Sequence, residues 1–316
     1  METERASPRY TDIDLWEPAD ILEAMVEGQF VAVAAVRAAR SAVEGAALTI
    51  EQRLKSGGRL IYAGAGTSGR LAVQDGAELM PTFDWPAERL LLLIAGGTDA
   101  LLGVVTGAED EAEKAVRLIR AHQVGSADVL IAVAASGTTP FTVSALCEAK
   151  RHGALTIGIA NNAGTALLVE ADCPILLDTG SEPIAGSTRM KAATAQRIAL
   201  SLLSSLLMIR LGRVCGGLMV DLRAANDKLI RRSESMLTQL TNRSAADVHE
   251  ALEATGSVKV AALVLKGCDV ERATALLDRV GGQLRLALAL AESGEGQDDD
   301  DQRSPPLVPG SRADKQ

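Results

Sequence analysis

Aromatic residues make up only 2% of this 316-residue chain: three Phe, two Tyr and two Trp. So little aromatic surface excludes a base-stacking platform for single-stranded nucleic acid. Basic residues are also in the minority, 32 Lys and Arg against 41 Asp and Glu, for a formal charge of −9. Nonspecific nucleic-acid binding needs clustered cations to neutralise phosphates, so any phosphate bound here must be held locally. The four cysteines, Cys147, Cys173, Cys215 and Cys268, form no CxxC pair, and His122, His152 and His249 lack ligand spacing. Neither a metal site, a cofactor nor a redox motif is indicated. No stretch offers the ~18 uninterrupted apolar residues of a membrane span. The charged Met1-Glu2-Thr3-Glu4-Arg5 is followed by no apolar signal region, which predicts a cytoplasmic protein without membrane contact.

What is present is aliphatic: 47% of residues are hydrophobic, with Ala, Leu and Val prominent. That composition suits buried parallel strands and stacked helices. Helical spacing runs from Pro18 to Leu54, and Gly57-Gly58 stops it. Short apolar runs then recur at Arg59–Ala63, Leu90–Ile94, Val129–Val133, Thr156–Ile159 and Pro174–Leu177. Helical segments lie between them at Arg70–Leu79, Ala100–Arg120, Thr142–Lys150 and Ala166–Ala171, and a long apolar helix follows from Met190 to Leu211. Such alternation predicts an α/β fold with a doubly wound five-stranded parallel sheet flanked by helices. From Ala245 to Leu290 the pattern breaks into short helices around Gly256, Gly267 and Gly281-Gly282, predicting a small C-terminal helical bundle. The expected division is an N-terminal helical segment (1–54), an α/β core (55–240), the bundle (241–291) and a disordered acidic tail (292–316).

Two strand-to-helix loops carry anion-binding character. The first is Gly64-Ala65-Gly66-Thr67-Ser68-Gly69, in which Gly66, Thr67 and Ser68 offer backbone N–H groups and hydroxyls at a helix N-terminus. It also satisfies GxGxxG, yet the second strand ends Ile94-Ala95-Gly96-Gly97, with no acidic residue for a ribose hydroxyl. The second loop is Ser136-Gly137-Thr138-Thr139-Pro140. Ser, Thr and Gly also favour ordinary N-caps and turns. The combination of both loops with Ser187, Thr188 and Arg189 before the long helix points to a phosphomonoester ligand, a small-molecule sugar phosphate. Arg189 and Lys191 are candidates for a substrate carboxylate or plain surface cations.

Beyond these loops, Ala77-Glu78 with Pro81-Thr82-Phe83, Gly107-Ala108-Glu109-Asp110, Glu182-Pro183, Gly186-Ser187-Thr188-Arg189, and Leu218-Met219-Val220-Asp221 with Asn226 occur in order along the chain. In this set the chain resembles the N-acetylmuramic acid 6-phosphate etherases, of the sugar-isomerase (SIS) fold, from about Thr3 to Leu290. The resemblance implies elimination of D-lactate from C3 of the sugar and then water addition. It makes Glu78 the proton donor and Glu109 the base that removes the C2 proton. It also implies a homodimer whose neighbouring subunits help to close each site, and a ubiquitin-associated-like terminal bundle. Residue physics alone leaves Glu78 a solvated helix glutamate and Glu109 a member of an exposed acidic run. The chain departs from the family pattern at Ala6 and Ser7, where an Arg-Asn pair is usual, and at Thr138, usually Arg. A noncatalytic sugar-phosphate sensor and an aldose–ketose isomerase of the same fold stay open as alternatives.

Overall fold

The computed structural model describes residues 1–222 and 227–293. Asn226 and all but the first two residues of the 292–316 tail lie outside the described residues. The chain divides into two compact units between Val214 and Cys215. In the first, α1 (Pro18–Ala38) and α2 (Arg40–Lys55) precede β1 (Leu60–Gly64). There follow α3 (Gly66–Phe83), β2 (Leu90–Ile94), α4 (Asp99–Leu102), α5 (Ala112–Ala121), β3 (Val129–Val133), α6 (Pro140–Arg151), β4 (Leu155–Ala160), α7 (Ala166–Glu170), β5 (Cys173–Leu176) and α8 (Lys191–Arg210). The strands pair in parallel in the order β2-β1-β3-β4-β5.

β1 and β3 are apolar at nearly every position because both sheet faces are covered. Alternate residues serve alternate faces. Tyr62, Ile131 and Ile157 join Val36, Ile50, Leu79 and Leu203 of α1, α2, α3 and α8. Ile61, Leu130 and Ala132 join Ile119, Phe141, Leu146 and Leu167 of α5, α6 and α7. The N-terminal helices therefore belong to the same core as the sheet. Helix α8 is long and apolar enough to cross a membrane; here Ala195, Ala199, Leu200, Leu203 and Leu207 are buried in that core.

Helical spacing predicts one segment over Ala100–Arg120, and the structure breaks it. α4 ends at Leu102, Gly103 is extended (φ −136°, ψ −172°), and α5 starts only at Ala112. Gly103-Val104-Val105-Thr106-Gly107 are all poor helix formers, so the chain loops across this stretch. The break carries Glu109 on a single tight turn, Ala108–Asp110, rather than on a helix face.

The opposite end of the sheet is tied by Asp128. Its carboxylate accepts hydrogen bonds from the Arg59 backbone N (3.1 Å), Nε (3.0 Å) and Nη2 (2.7 Å), and from the Gly125 N (2.9 Å). Burial alone would push this carboxyl up; the hydrogen bonds from Arg59 and Gly125 outweigh it and hold the group below its ordinary value. A depressed folded-state pKa contributes stability above the unfolded value of about 3.9 and loses it as pH falls through the folded value. Asp128→Asn is expected to cost about 1–3 kcal/mol at pH 7. In urea unfolding the gap to the parent protein should narrow below about pH 4; a gap of constant size down to pH 2 would contradict this account.

The second unit holds α9 (Asp227–Thr241), α10 (Ala245–Thr255), α11 (Val258–Val264), α12 (Val270–Arg279) and α13 (Leu284–Ser293). Ser244, Ser257 and Asp269 cap α10, α11 and α12 through side-chain oxygens. Leu237, Val248, Leu252, Leu263, Leu276 and Leu284 fill its core.

Candidate active site at the carboxyl ends of the strands

In an open parallel sheet, loops after neighbouring strands whose helices depart to opposite faces leave a crevice at the carboxyl edge. Here α3 leaves β1 toward one face and α6 leaves β3 toward the other. A cavity of about 400 Å³ opens between them. Gly66, Thr67 and Ser68 line it from the first loop, and Ser136, Thr138 and Thr139 from the second. Glu109 and Asp110 enter from the turn after α4, and Glu4, Gly186 and Thr188 complete the rim. Of the residues singled out from sequence, Gly66, Thr67, Ser68, Glu109, Ser136, Thr138, Thr139 and Thr188 are thus brought together. Glu78, Gly137, Ser187 and Arg189 do not line this cavity. An adjoining space of about 340 Å³ shares Gly66, Thr67 and Glu109 and extends past Arg70 to Val104 and Val105.

The first loop depends on close backbone approach. A Cβ on Gly69 would stand 2.8 Å from the Gly64 backbone carbon and oxygen, and one on Gly64 would stand 2.8 Å from the Gly69 Cα. Two glycines let the start of α3 fold directly back on the end of β1, aiming the helix N-terminus into the crevice. In the second loop Gly137 sits at φ +71°, where a Cβ would come within 2.1 Å of Thr165 Oγ1. Its function is to shape the turn. That turn brings Ser136 Oγ to accept the Thr138 N–H at 3.2 Å and to share a hydrogen bond with Thr139 Oγ1 at 3.2 Å.

Among the described residues lining the 400 Å³ cavity there is no Lys or Arg, while Glu4, Glu109 and Asp110 are acidic. An anion here would be held by N–H groups, hydroxyls and the N-termini of α3 and α6, not by side-chain cations. Arg70, in the adjoining space, spends its guanidinium on the backbone oxygens of Ala100 (2.8 Å) and Gly103 (2.5 Å). It anchors the loop that leads to Glu109.

Glu4 is the lining residue that residue-level reading missed. Thr3 is fully buried; its N–H donates to Asn162 Oδ1 (3.3 Å), its Oγ1 accepts from Asn162 Nδ2 (2.9 Å), and its carbonyl accepts from Gly186 N (3.1 Å). The clamp joins residues 159 apart and delivers Glu4 to the cavity. No local periodicity signals it. The Gly186–Thr188 rim is set from beneath by Glu182, fully buried, which accepts the N–H groups of Lys191 (3.2 Å) and Ala192 (2.9 Å) at the start of α8. Burial pushes the Glu182 carboxyl up and the Lys191 ammonium down, each partly offset by the other's charge.

Glu78 lies on α3, about three turns from the loop, and is exposed. Its Oε1 accepts from Gln74 Nε2 at 3.3 Å and its Oε2 from Arg197 Nη2 at 3.4 Å.

The SIS domain family matches residues 111–206, and the glucokinase regulatory protein N-terminal SIS domain family matches 42–150. The chain is 48% identical over 293 residues to the N-acetylmuramic acid 6-phosphate etherase of Deinococcus radiodurans, covering 92% of this chain and 96% of the relative. It is 44% identical to the protein of the same name from Streptomyces coelicolor, covering 92% and 94%. Among solved structures, a phosphoheptose isomerase from Francisella tularensis is 22% identical, covers 62% of this chain and 98% of its own, and superposes with a TM-score of 0.46.

Proposed function

Because this chain belongs to the N-acetylmuramic acid 6-phosphate etherase family, we infer that it cleaves the lactyl ether of N-acetylmuramic acid 6-phosphate, yielding N-acetylglucosamine 6-phosphate and D-lactate. The observation that supports this reading best is that Glu109 shares one cavity with both hydroxyl-rich loops. A phosphate seated on those loops would fix a sugar within reach of a carboxylate base. In the open-chain aldehyde the carbonyl acidifies the C2 proton, so Glu109 can remove it as general base. The C3–O bond then breaks, the lactate oxygen takes a proton from Glu78, and an unsaturated aldehyde remains. Water adds at C3 with the proton transfers reversed, which regenerates both carboxyl groups. The reaction makes the enzyme a carbon–oxygen lyase. The reading extends to a homodimer in the cytoplasm in which neighbouring subunits help to close each site; sedimentation of the full chain at increasing concentration tests the dimer.

The decisive assay is D-lactate release from N-acetylmuramic acid 6-phosphate by the purified protein. A sensor would bind the sugar phosphate and release nothing; an isomerase would yield a rearranged sugar and no lactate. Ser136→Ala tests the phosphate loop within the same assay. Losing a hydroxyl donor to a charged oxygen costs about 1.5–3 kcal/mol, a KM increase of roughly 10- to 100-fold with kcat little changed. An unaltered KM would remove Ser136 from the phosphate site.

A further inference from the structure

The helices beside the site bury a carboxylate that the reaction does not use. Asp75, on α3, is 4% exposed. Tyr62 of β1 donates to its Oδ2 at 2.9 Å, and Ser204 of α8 donates to its Oδ1 at 3.2 Å. Burying an ionisable carboxylate is costly unless it is paired. Its charged partner is Arg197 of α8, whose Nη1 stands 3.6 Å from Asp75 Oδ1. That nitrogen is buried and makes no hydrogen bond, so the charge of Asp75 is what compensates it. The other end of the guanidinium, Nη2, reaches outward to Glu78 Oε2 at 3.4 Å.

Asp75 and Glu78 are three residues apart on one helix, so they share a face and repel. Arg197 lies between them and resolves the repulsion. The Glu78 side chain is 55% exposed, so solvent screens the outer pair and leaves it little weight in stability. What the pair supplies is geometry. An exposed glutamate samples many rotamers. Gln74 on one oxygen and Arg197 on the other hold this carboxylate in a single orientation.

We infer that Arg197 is a positioning residue for the etherase reaction: seated on buried Asp75, it holds the Glu78 carboxyl in the orientation from which it serves as proton donor. The inference rests on the reading of Glu78 as proton donor, and its test separates the two. Steady-state D-lactate release by the full chain is compared for the parent, Arg197→Ala, Arg197→Lys, Glu78→Gln and the double variant Arg197→Ala with Glu78→Gln, with melting temperatures recorded for each. Misplacing a reacting group costs up to about 100-fold, so Arg197→Ala should lower kcat roughly 10- to 100-fold while KM stays within about twofold. Lysine keeps the charge without the two-pronged fork, so Arg197→Lys should recover part of the loss. In the Glu78→Gln background Arg197→Ala should cost nothing further, because its effect passes through Glu78. A loss of equal size in that background, or an unchanged kcat in Arg197→Ala, overturns the positioning role. A Glu78→Gln variant with parental kcat overturns the proton-donor reading itself, and this inference with it. Should Arg197→Ala not fold, the same cycle is run with Arg197→Lys.

Discussion

Glu109→Gln is expected to lower D-lactate release by about 10²- to 10⁴-fold, the range that a general base contributes. The amide matches the carboxylate in size and cannot accept the C2 proton. Glu109 sits on the exposed turn Ala108–Asp110, and its side chain holds no part of the core together. Folding should therefore be unchanged and the melting temperature should stay within a degree or two of the parent, as surface substitutions usually do. Sugar-phosphate affinity, measured by calorimetry with N-acetylglucosamine 6-phosphate, should be retained or increased, since one of the three carboxyl groups on the cavity wall is neutralised. Loss of turnover with retained binding is the signature of an interaction made in the transition state. Parental turnover in this variant would take Glu109 out of the mechanism and leave Glu4 and Asp110 as the acidic groups to examine in the same cavity.

Gly69→Ala should be strongly damaging, because the added methyl group meets backbone on both sides of the first loop. The added carbon would lie 2.8 Å from the Gly64 backbone carbon and oxygen and 2.9 Å from Ile94 Cγ1, and neither backbone atom can rotate away. Relief requires α3 to move off β1, which disturbs the packing of Ala72 and Leu79 and shifts the first loop. Overpacking of this kind costs about 1–3 kcal/mol or more, a fall in melting temperature on the order of 5 °C for a unit of this size. Substrate affinity should fall with it, because the N–H groups of Gly66, Thr67 and Ser68 move with the helix. Gly45→Ala is the matched control: it lies on the exposed side of α2 with nothing within 4 Å of the new Cβ. There alanine should stabilise by about 0.5–1 kcal/mol through helix propensity. Equal melting temperatures for the two variants would mean that the β1–α3 approach is not close in solution.

Much of this architecture was legible because its signals are local. A strand buried on both faces must be apolar along its length, so the five runs were visible one at a time, and each lies within one or two residues of an observed strand. Glycine and hydroxyl residues between a strand and a helix mark a turn that exposes N–H groups, so both strand-to-helix loops could be read in place. Over Ala100–Arg120 the same local signal misleads: the charged and apolar spacing of α5 continues backward into Gly103-Val104-Val105-Thr106-Gly107, where weak helix propensity ends the helix. That loop, not a helix, is what delivers Glu109.

The sequence by itself thus determined the fold class, the position of the two anion loops and, through family resemblance, which glutamates to suspect. The tertiary structure alone decided what surrounds them. Thr3 meets Asn162 across 159 residues and brings Glu4 to the cavity; Glu78 meets Arg197 across 119, with Asp75 behind it. Periodicity reports which face of an element is buried and against which solvent boundary it lies. It carries no information on which distant side chain arrives at that face, because that depends on strand order and helix packing along the whole chain.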